Sequence, residues 1–200
     1  MDRTLLNALE ERDAEAAKRF VEGEPDPKRV LAMYHGAIRH LYWSAKDIAT
    51  LVDIGRRAID FGASHPDALK PIAYDIGSFC WPGWDEPGIT IDEATFAFGA
   101  QAANLNLALA IQLSRPLSNA QWLVGAYHLA ARRTTEAVAS FERARDLADD
   151  EATKLLATGY IAIAHGESFA TDELEALPDG TDLVAQLRTA ERVFAATSRG

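Results

Sequence analysis

A glycine at position 125 and three residues downstream of it limit most sharply how this chain can fold. The stretch from Trp122 to Leu147, WLVGAYHLAARRTTEAVASFERARDL, reads as two short helices with a polar break at Arg132-Arg133-Thr134. Gly125 on the first helix is followed by Ala137, Phe141 and Ala144 on the second. Steps of four and three keep those last residues on one helical face. Glycine and alanine opposite each other shorten the interhelical distance, and an aromatic ring then packs along the same seam. Gly159 echoes Gly125 further along the chain, so the same close approach is expected twice.

The remainder of the chain agrees with an all-α fold. The hydrophobic fraction is 48%, and alanine and leucine, which lose little rotamer freedom in a helix, supply much of it. No run of alternating apolar and polar β-branched residues suggests a strand. With 200 residues the chain is long enough to bury a core.

Taken in order, residues 2–21 pattern as an amphipathic helix, within an N-terminal segment 1–24, with Leu5, Leu6, Leu9, Ala16 and Phe20 on one face. Glu22 to Pro27 stops it, and Asp26-Pro27 suits the start of a second helix to about Tyr42. A third follows Ser44 and ends near Gly62. A fourth spans Ala68 to Phe79, with Pro71 in its first turn. The connector CWPGWDEPGIT, residues 80–90, holds two prolines and two glycines and is expected to be irregular. Asp92 suits the cap of a long helix, Glu93 to Ser114, whose wheel is apolar apart from one polar stripe and which is therefore expected to be mostly buried at the centre of the domain. After Pro116, Ser118 or Asn119 is expected to cap the hairpin helix. Asp149-Asp150 starts Glu151 to His165, ESFATDELEAL suggests a short helix before Pro178, and residues 181–197 form a final helix.

On Gly125, Ala137, Phe141, Ala144 and the echo at Gly159, which falls at the family's period of about 34 residues, the chain resembles the tetratricopeptide repeat family. The resemblance implies antiparallel helical hairpins stacked as a short α-solenoid over residues 27–178, one single domain with the 80–90 insertion and a capping helix at its C-terminal end. It departs from the family where His128 and Thr134 replace usual tyrosines, and where Thr171, Glu175 and Pro178 replace the second unit's seam residues. It also implies a groove lined by Asn119, Trp122, Leu123, Ala126 and Leu129, then Thr153, Leu156, Tyr160 and Ile163. None of these is basic, so a clamp for a peptide carboxylate is disfavoured. The groove suits an apolar or aromatic protein segment, a second copy of the chain, or the chain's own C-terminal helix.

Charge and motif content narrow the function further. Thirty acidic against 20 basic residues give a net charge of −10, which repels phosphate backbones and anionic lipid, so neither nucleic acid nor a membrane is an expected partner. Residues 1–20 mix charges throughout and lack the apolar segment of a secretion signal, and the run Leu105 to Leu113 is too short to span a bilayer. A soluble, cytoplasmic location is expected. His35 and His40, five residues apart on one helix, point about 140° from each other and cannot share a metal. Gly166 to Ala170 resembles a nucleophile elbow but follows a helix rather than a strand. No catalytic group, cofactor or metal is expected.

Two features stay open on the sequence alone. Trp81, Trp84, Asp85 and Glu86 could form an exposed tip for cationic or aromatic groups, beside which a small-molecule pocket would serve a binder or an enzyme, or their rings could pack over helix ends and pin the connector. Asn106, on an apolar face, reads either as a functional amide or as one paired with a backbone carbonyl. The expected function is a protein-interaction scaffold, with self-association and the small-molecule pocket as alternatives.

Overall fold

A computed structural model describes residues 23–196; the amphipathic helix expected over residues 2–21 lies outside them. Every regular element among the described residues is helical. In order they are α1 (Pro27–His40), a π-helical turn (Leu41–Ala45), α2 (Ile48–Gly62), α3 (Pro66–Phe79), a 3-10 turn (Pro82–Trp84), α4 (Glu93–Gln112), α5 (Ser118–Ala130), α6 (Thr134–Asp146), α7 (Glu151–His165), the single-turn α8 (Asp172–Glu175) and α9 (Gly180–Ala196). The chain divides into two compact units. The described part of the first is residues 23–80 and 88–109; that of the second is 81–87 and 110–196.

The first unit is built on α1, α2, α3 and the greater part of α4. Asp26 caps α1 through a hydrogen bond from the Lys28 N–H, with Pro27 as the first helical residue. Leu31, Ile38, Leu51, Ile72, Ile76 and Phe98 converge in its core, where Tyr42 stacks on Phe79 at 4.1 Å. α3 begins at Pro66, two residues earlier than expected, so Pro71 lies inside the helix rather than in its first turn. Its ring stands where an N–H would have met the carbonyl of Asp67.

One capping device recurs in both units. Asp47, Asp92 and Asp150 each accept a hydrogen bond from the backbone N–H of a threonine three residues on, Thr50, Thr95 and Thr153, at 2.7 to 3.0 Å. Satisfying an otherwise unpaired helix N–H with a carboxylate also places negative charge at the positive end of the helix dipole. The carboxyls of Asp92 and Asp150 are accordingly held below the usual range, by the Thr95 and Thr153 backbone N–H groups first and their hydroxyls second.

α4 departs from expectation. It stops at Gln112, and Ser114 adopts a left-handed conformation that lets the Arg115 N–H close on the Ala110 carbonyl. It is the one described helix long and apolar enough, by length and composition, to cross a membrane, and 44% of its 18-residue apolar window is buried inside the protein. The mostly buried helix expected from the wheel is therefore less than half buried, and Ile111 is exposed.

In the second unit α5 and α6 form the hairpin read from the sequence. Neither Ser118 nor Asn119 caps α5; Leu117 holds that position, and the buried Ser118 hydroxyl donates instead to the Ala144 carbonyl of α6 at 2.7 Å. The helix ends with Arg132 left-handed and the Arg133 N–H bonded to the His128 carbonyl, a closure that glycine more often makes. A Cβ added to Gly125 would lie 2.8 Å from the Phe141 ring and 3.1 Å from Ser140 Cβ, and Ala137, Phe141 and Ala144 are fully buried. The small residue is thus required by Phe141 itself.

Candidate functional site

The second unit gathers Trp81, Trp84, Trp122, Phe141, Tyr160 and Phe194 into one cluster. The 3-10 turn at Pro82–Trp84 folds Trp84 edge-on against Trp81 at 5.1 Å. Glycine is needed at 83 because a Cβ there would collide with the Trp81 ring. The turn closes with the Asp85 N–H on the Pro82 carbonyl, Asp85 taking a left-handed conformation. Trp81 is 1% exposed, and its indole N–H donates to the Ala126 carbonyl of α5 at 2.9 Å. Trp122, one turn before Ala126, meets Trp81 at 5.6 Å and Tyr160 of α7 at 5.3 Å, both edge-on. Tyr160 also stacks on Phe141 at 5.2 Å. Such ring pairs add about 0.5–1.5 kcal/mol each beyond the area they bury.

α9 lies on the same cluster. A Cβ added to Gly159 would come within 2.5 Å of Leu187 Cδ1, so Leu187 occupies the place that Phe141 takes against Gly125. Gln186 Nε2 donates to the Tyr160 hydroxyl at 3.0 Å, and Phe194 meets Trp81 at 5.7 Å. Arg192 pairs with Asp85 at 2.7 Å. Both partners of that pair are more than half exposed, so it contributes roughly 0.2–1 kcal/mol, against about 1.5–3 kcal/mol for burying a side chain such as Leu187. Apolar contact therefore contributes more than the ion pair to holding α9 in place.

The residues singled out from the sequence separate accordingly. Trp122, Ala126, Leu129, Tyr160 and Ile163 are buried, Leu156 is half-buried and Asn119 is exposed. Trp81, Trp84, Trp122, Ala126 and Tyr160 come together; Asn119 and Leu156 are not part of that grouping. Trp81 is not part of an exposed tip: Trp84, Trp122, Tyr160 and Phe194 surround it. Trp84 and Glu86 are half-buried, and Asp85 is exposed but engaged by Arg192. Trp81 therefore packs inward, while Trp84, Asp85 and Glu86 keep part of their surface in solvent.

Three buried polar groups stand apart among the described residues. Trp122 Nε1, within the aromatic cluster, finds no hydrogen-bond partner among them. Neither does the amide of Asn106, which is fully buried, so the expected pairing with a backbone carbonyl does not form. His128 Nδ1 is the third, and burial followed by the nearby Arg133 charge lowers that imidazole's pKa. Cys80 is buried, and desolvation pushes its thiol up to about 12, which leaves it protonated and unreactive.

Sequence reasoning missed two groupings in the first unit. His35 Nε2 lies 2.8 Å from Asp75 Oδ2, which also takes a hydrogen bond from Arg39 at 3.1 Å, tying α1 to α3 across 40 residues of sequence. Trp43, 54% exposed on the π-helical turn, packs edge-on to Phe79 with Lys46 Nζ 5.6 Å from its ring. The spacing of His35 and Arg39 on one helix face was the only sign of the first, and an exposed tryptophan leaves no mark in a periodicity. No group of three or more metal-ligating side chains occurs among the described residues. No protein-family model, curated protein or solved structure matches this chain.

Proposed function

We propose that the chain is a protein-interaction module of the tetratricopeptide-repeat kind, whose α5–α7 face receives a helical segment of a protein partner. The observation that carries this reading is the face itself: Trp122, Ala126 and Tyr160 gather around Trp81, and α7 already holds a helix, α9, through the Gly159–Leu187 close approach and the Gln186–Tyr160 hydrogen bond. An amphipathic helix laid into an apolar groove is a recurrent mode of peptide recognition. The Gly125–Phe141 seam supports the repeat-like hairpin beneath it. With a net charge of −10 the surface favours a partner carrying cations at its rim, as Arg192 does toward Asp85. A cytoplasmic location goes with this reading.

The test is selection of displayed helical peptides against the full chain, followed by mapping of the winners by hydrogen exchange. Winners that protect α5 and α7 and lose at least tenfold in affinity on Tyr160→Ala support the module. Winners that bind the Tyr160→Ala chain equally well would place recognition elsewhere.

A further inference from the structure

We propose that Trp43 and the cations beside it form a docking surface whose occupant is a second copy of this chain, seated through the acidic proline turn at residues 175–179. The surface is separate from the α5–α7 face. Trp43 is the most exposed aromatic side chain among the described residues, at 54%. The core does not need it, because Tyr42 and Phe79 already stack on each other and are buried. Trp43 meets both edge-on, at 4.8 and 5.8 Å. An indole braced in this way loses little freedom when a partner covers it. It stands on a π-helical turn, a local insertion frequent at functional sites.

Cations flank the ring. Lys46 closes the turn in a left-handed conformation, φ 52°, with Nζ 5.6 Å from both the Tyr42 and the Trp43 ring. Arg39, more than half exposed, precedes Trp43 by four residues. The two face α3 one turn apart, Arg39 on Asp75 and Trp43 on Phe79. Residues 27–46 carry Lys28, Arg29, Arg39 and Lys46 and no carboxylate. Two acids close by in the fold are already engaged, Asp47 by Thr50 and Asp75 by His35 and Arg39. In a chain of net charge −10 this is a cationic spot, and its complement is acidic. Tryptophan and arginine are also the residue types that dominate interface energies once covered.

The chain carries that complement itself. Residues 167–182 hold Glu167, Asp172, Glu173, Glu175, Asp179 and Asp182, all exposed, and no lysine or arginine. Pro178 is exposed among them, three residues after Glu175 and next to Asp179. Carboxylate, proline, carboxylate thus answers cation, indole, cation. Proline packs on aromatic surfaces at low entropic cost. The one ion pair that Glu175 makes, with Arg188 at 3.8 Å between exposed groups, is weak enough to be exchanged for Arg39 of another copy. Each molecule offers one surface and receives the other, so the pairing is between unlike patches.

Sedimentation velocity of the full chain at rising concentration tests this. The weight-average mass is expected to climb above the 21.8 kDa of one chain. Trp43→Ala should weaken the association about tenfold, and Lys46→Glu and Asp179→Lys about fivefold each. Mixed together, the two charge-reversed chains should regain what each has lost, because Lys46 of one still meets Asp179 of the other. A mass that stays at one chain at every concentration overturns the proposal, as does association indifferent to all three substitutions. Should Trp43→Ala fail to fold, the charge reversals decide alone, and a mixture that regains nothing overturns it equally. A chain that stays monomeric yet binds a displayed acidic, proline-containing peptide, with binding lost on Trp43→Ala, would give the surface to a foreign protein and sink the second copy.

Discussion

Gly125 on α5 and Gly159 on α7 hold matching places in their helices, and each is pressed by a large side chain from another helix. For Gly125 the neighbour is Phe141, in the very next helix. For Gly159 it is Leu187, beyond the irregular stretch and the single turn of α8. A Cβ on Gly125 would meet a ring edge and the Cβ of Ser140, neither of which can yield, whereas on Gly159 it would meet the terminal methyls of a leucine. The same local requirement is therefore met once by a rigid, sequence-local seam and once by a helix brought in from a distance. The first seam is closed within one hairpin; the second depends on a helix reached across a break in regular structure.

The sharpest way to break this contrast is to remove each large side chain. Phe141→Ala empties a fully buried site that also stacks on Tyr160, and should cost about 3–5 kcal/mol, visible as a lower denaturant midpoint for the whole second unit. Leu187→Ala should cost about 2–5 kcal/mol by the same scale, but the loss should be local. Hydrogen exchange of α9 is expected to accelerate, with protection in α5 and α6 retained. If Leu187→Ala instead accelerates exchange in all of α5, α6 and α7 together, α9 belongs to the framework and the two seams are alike.

Adding a single methyl tests the same distinction more finely. Gly125→Ala should overpack against Phe141 by about 1–3 kcal/mol, while alanine's better helix propensity returns about 1 kcal/mol, for a net loss near 1 kcal/mol. At Gly159 the neighbour is the far end of Leu187, which can rotate aside, so Gly159→Ala should fall within about 0.5 kcal/mol of the unaltered chain. Thermal melts of the two variants side by side decide it. Equal losses would mean that Leu187 is held as firmly as Phe141.

The contrast also explains what could be read in advance. Gly125, Ala137, Phe141 and Ala144 lie within one hairpin: periodicity put the last three on one face, and the resemblance to a tetratricopeptide repeat set Gly125 opposite them. Gly159 announced a close approach as clearly, but the residue that answers it comes after a break, and no spacing rule connects the two. The Trp81–Ala126 hydrogen bond spans 45 residues, and the His35–Asp75 pair 40. Neither leaves a periodic trace in the sequence. Pro66 as a helix start was hidden because proline marks a break as readily as a first helical residue, which put the expected start at Ala68. Burial of Trp81 was undecidable because tryptophan beside proline and aspartate serves packing and recognition alike. Helical content and the hairpin were legible; the partner of each long-range contact was not.

The smallest predicted effect concerns how the two glycine helices begin. α5 has no side-chain cap and is fastened instead by Ser118 to the α6 carbonyl of Ala144, so its first turn depends on the hairpin. α7 is capped from within by Asp150, whose carboxylate accepts from both the N–H and the hydroxyl of Thr153, each at 2.8 Å. Those hydrogen bonds hold the Asp150 carboxyl below its ordinary value in the folded chain. The contribution of a carboxyl so depressed is fully present above the unfolded value, about 3.9, and is lost as pH falls through the lower folded value. Stability from this cap should therefore fade only below about pH 4. Asp150→Ala is expected to lose about 1 kcal/mol at neutral pH. Asp150→Asn, which keeps an acceptor but not the charge, should lose less and should flatten the acid limb of the stability profile. Denaturant midpoints at pH 7 and pH 3.5 for the three chains measure both effects. An acid limb as steep in Asp150→Asn as in the unaltered chain would show that the cap's charge adds nothing, and that α7, like α5, takes its start from tertiary contact.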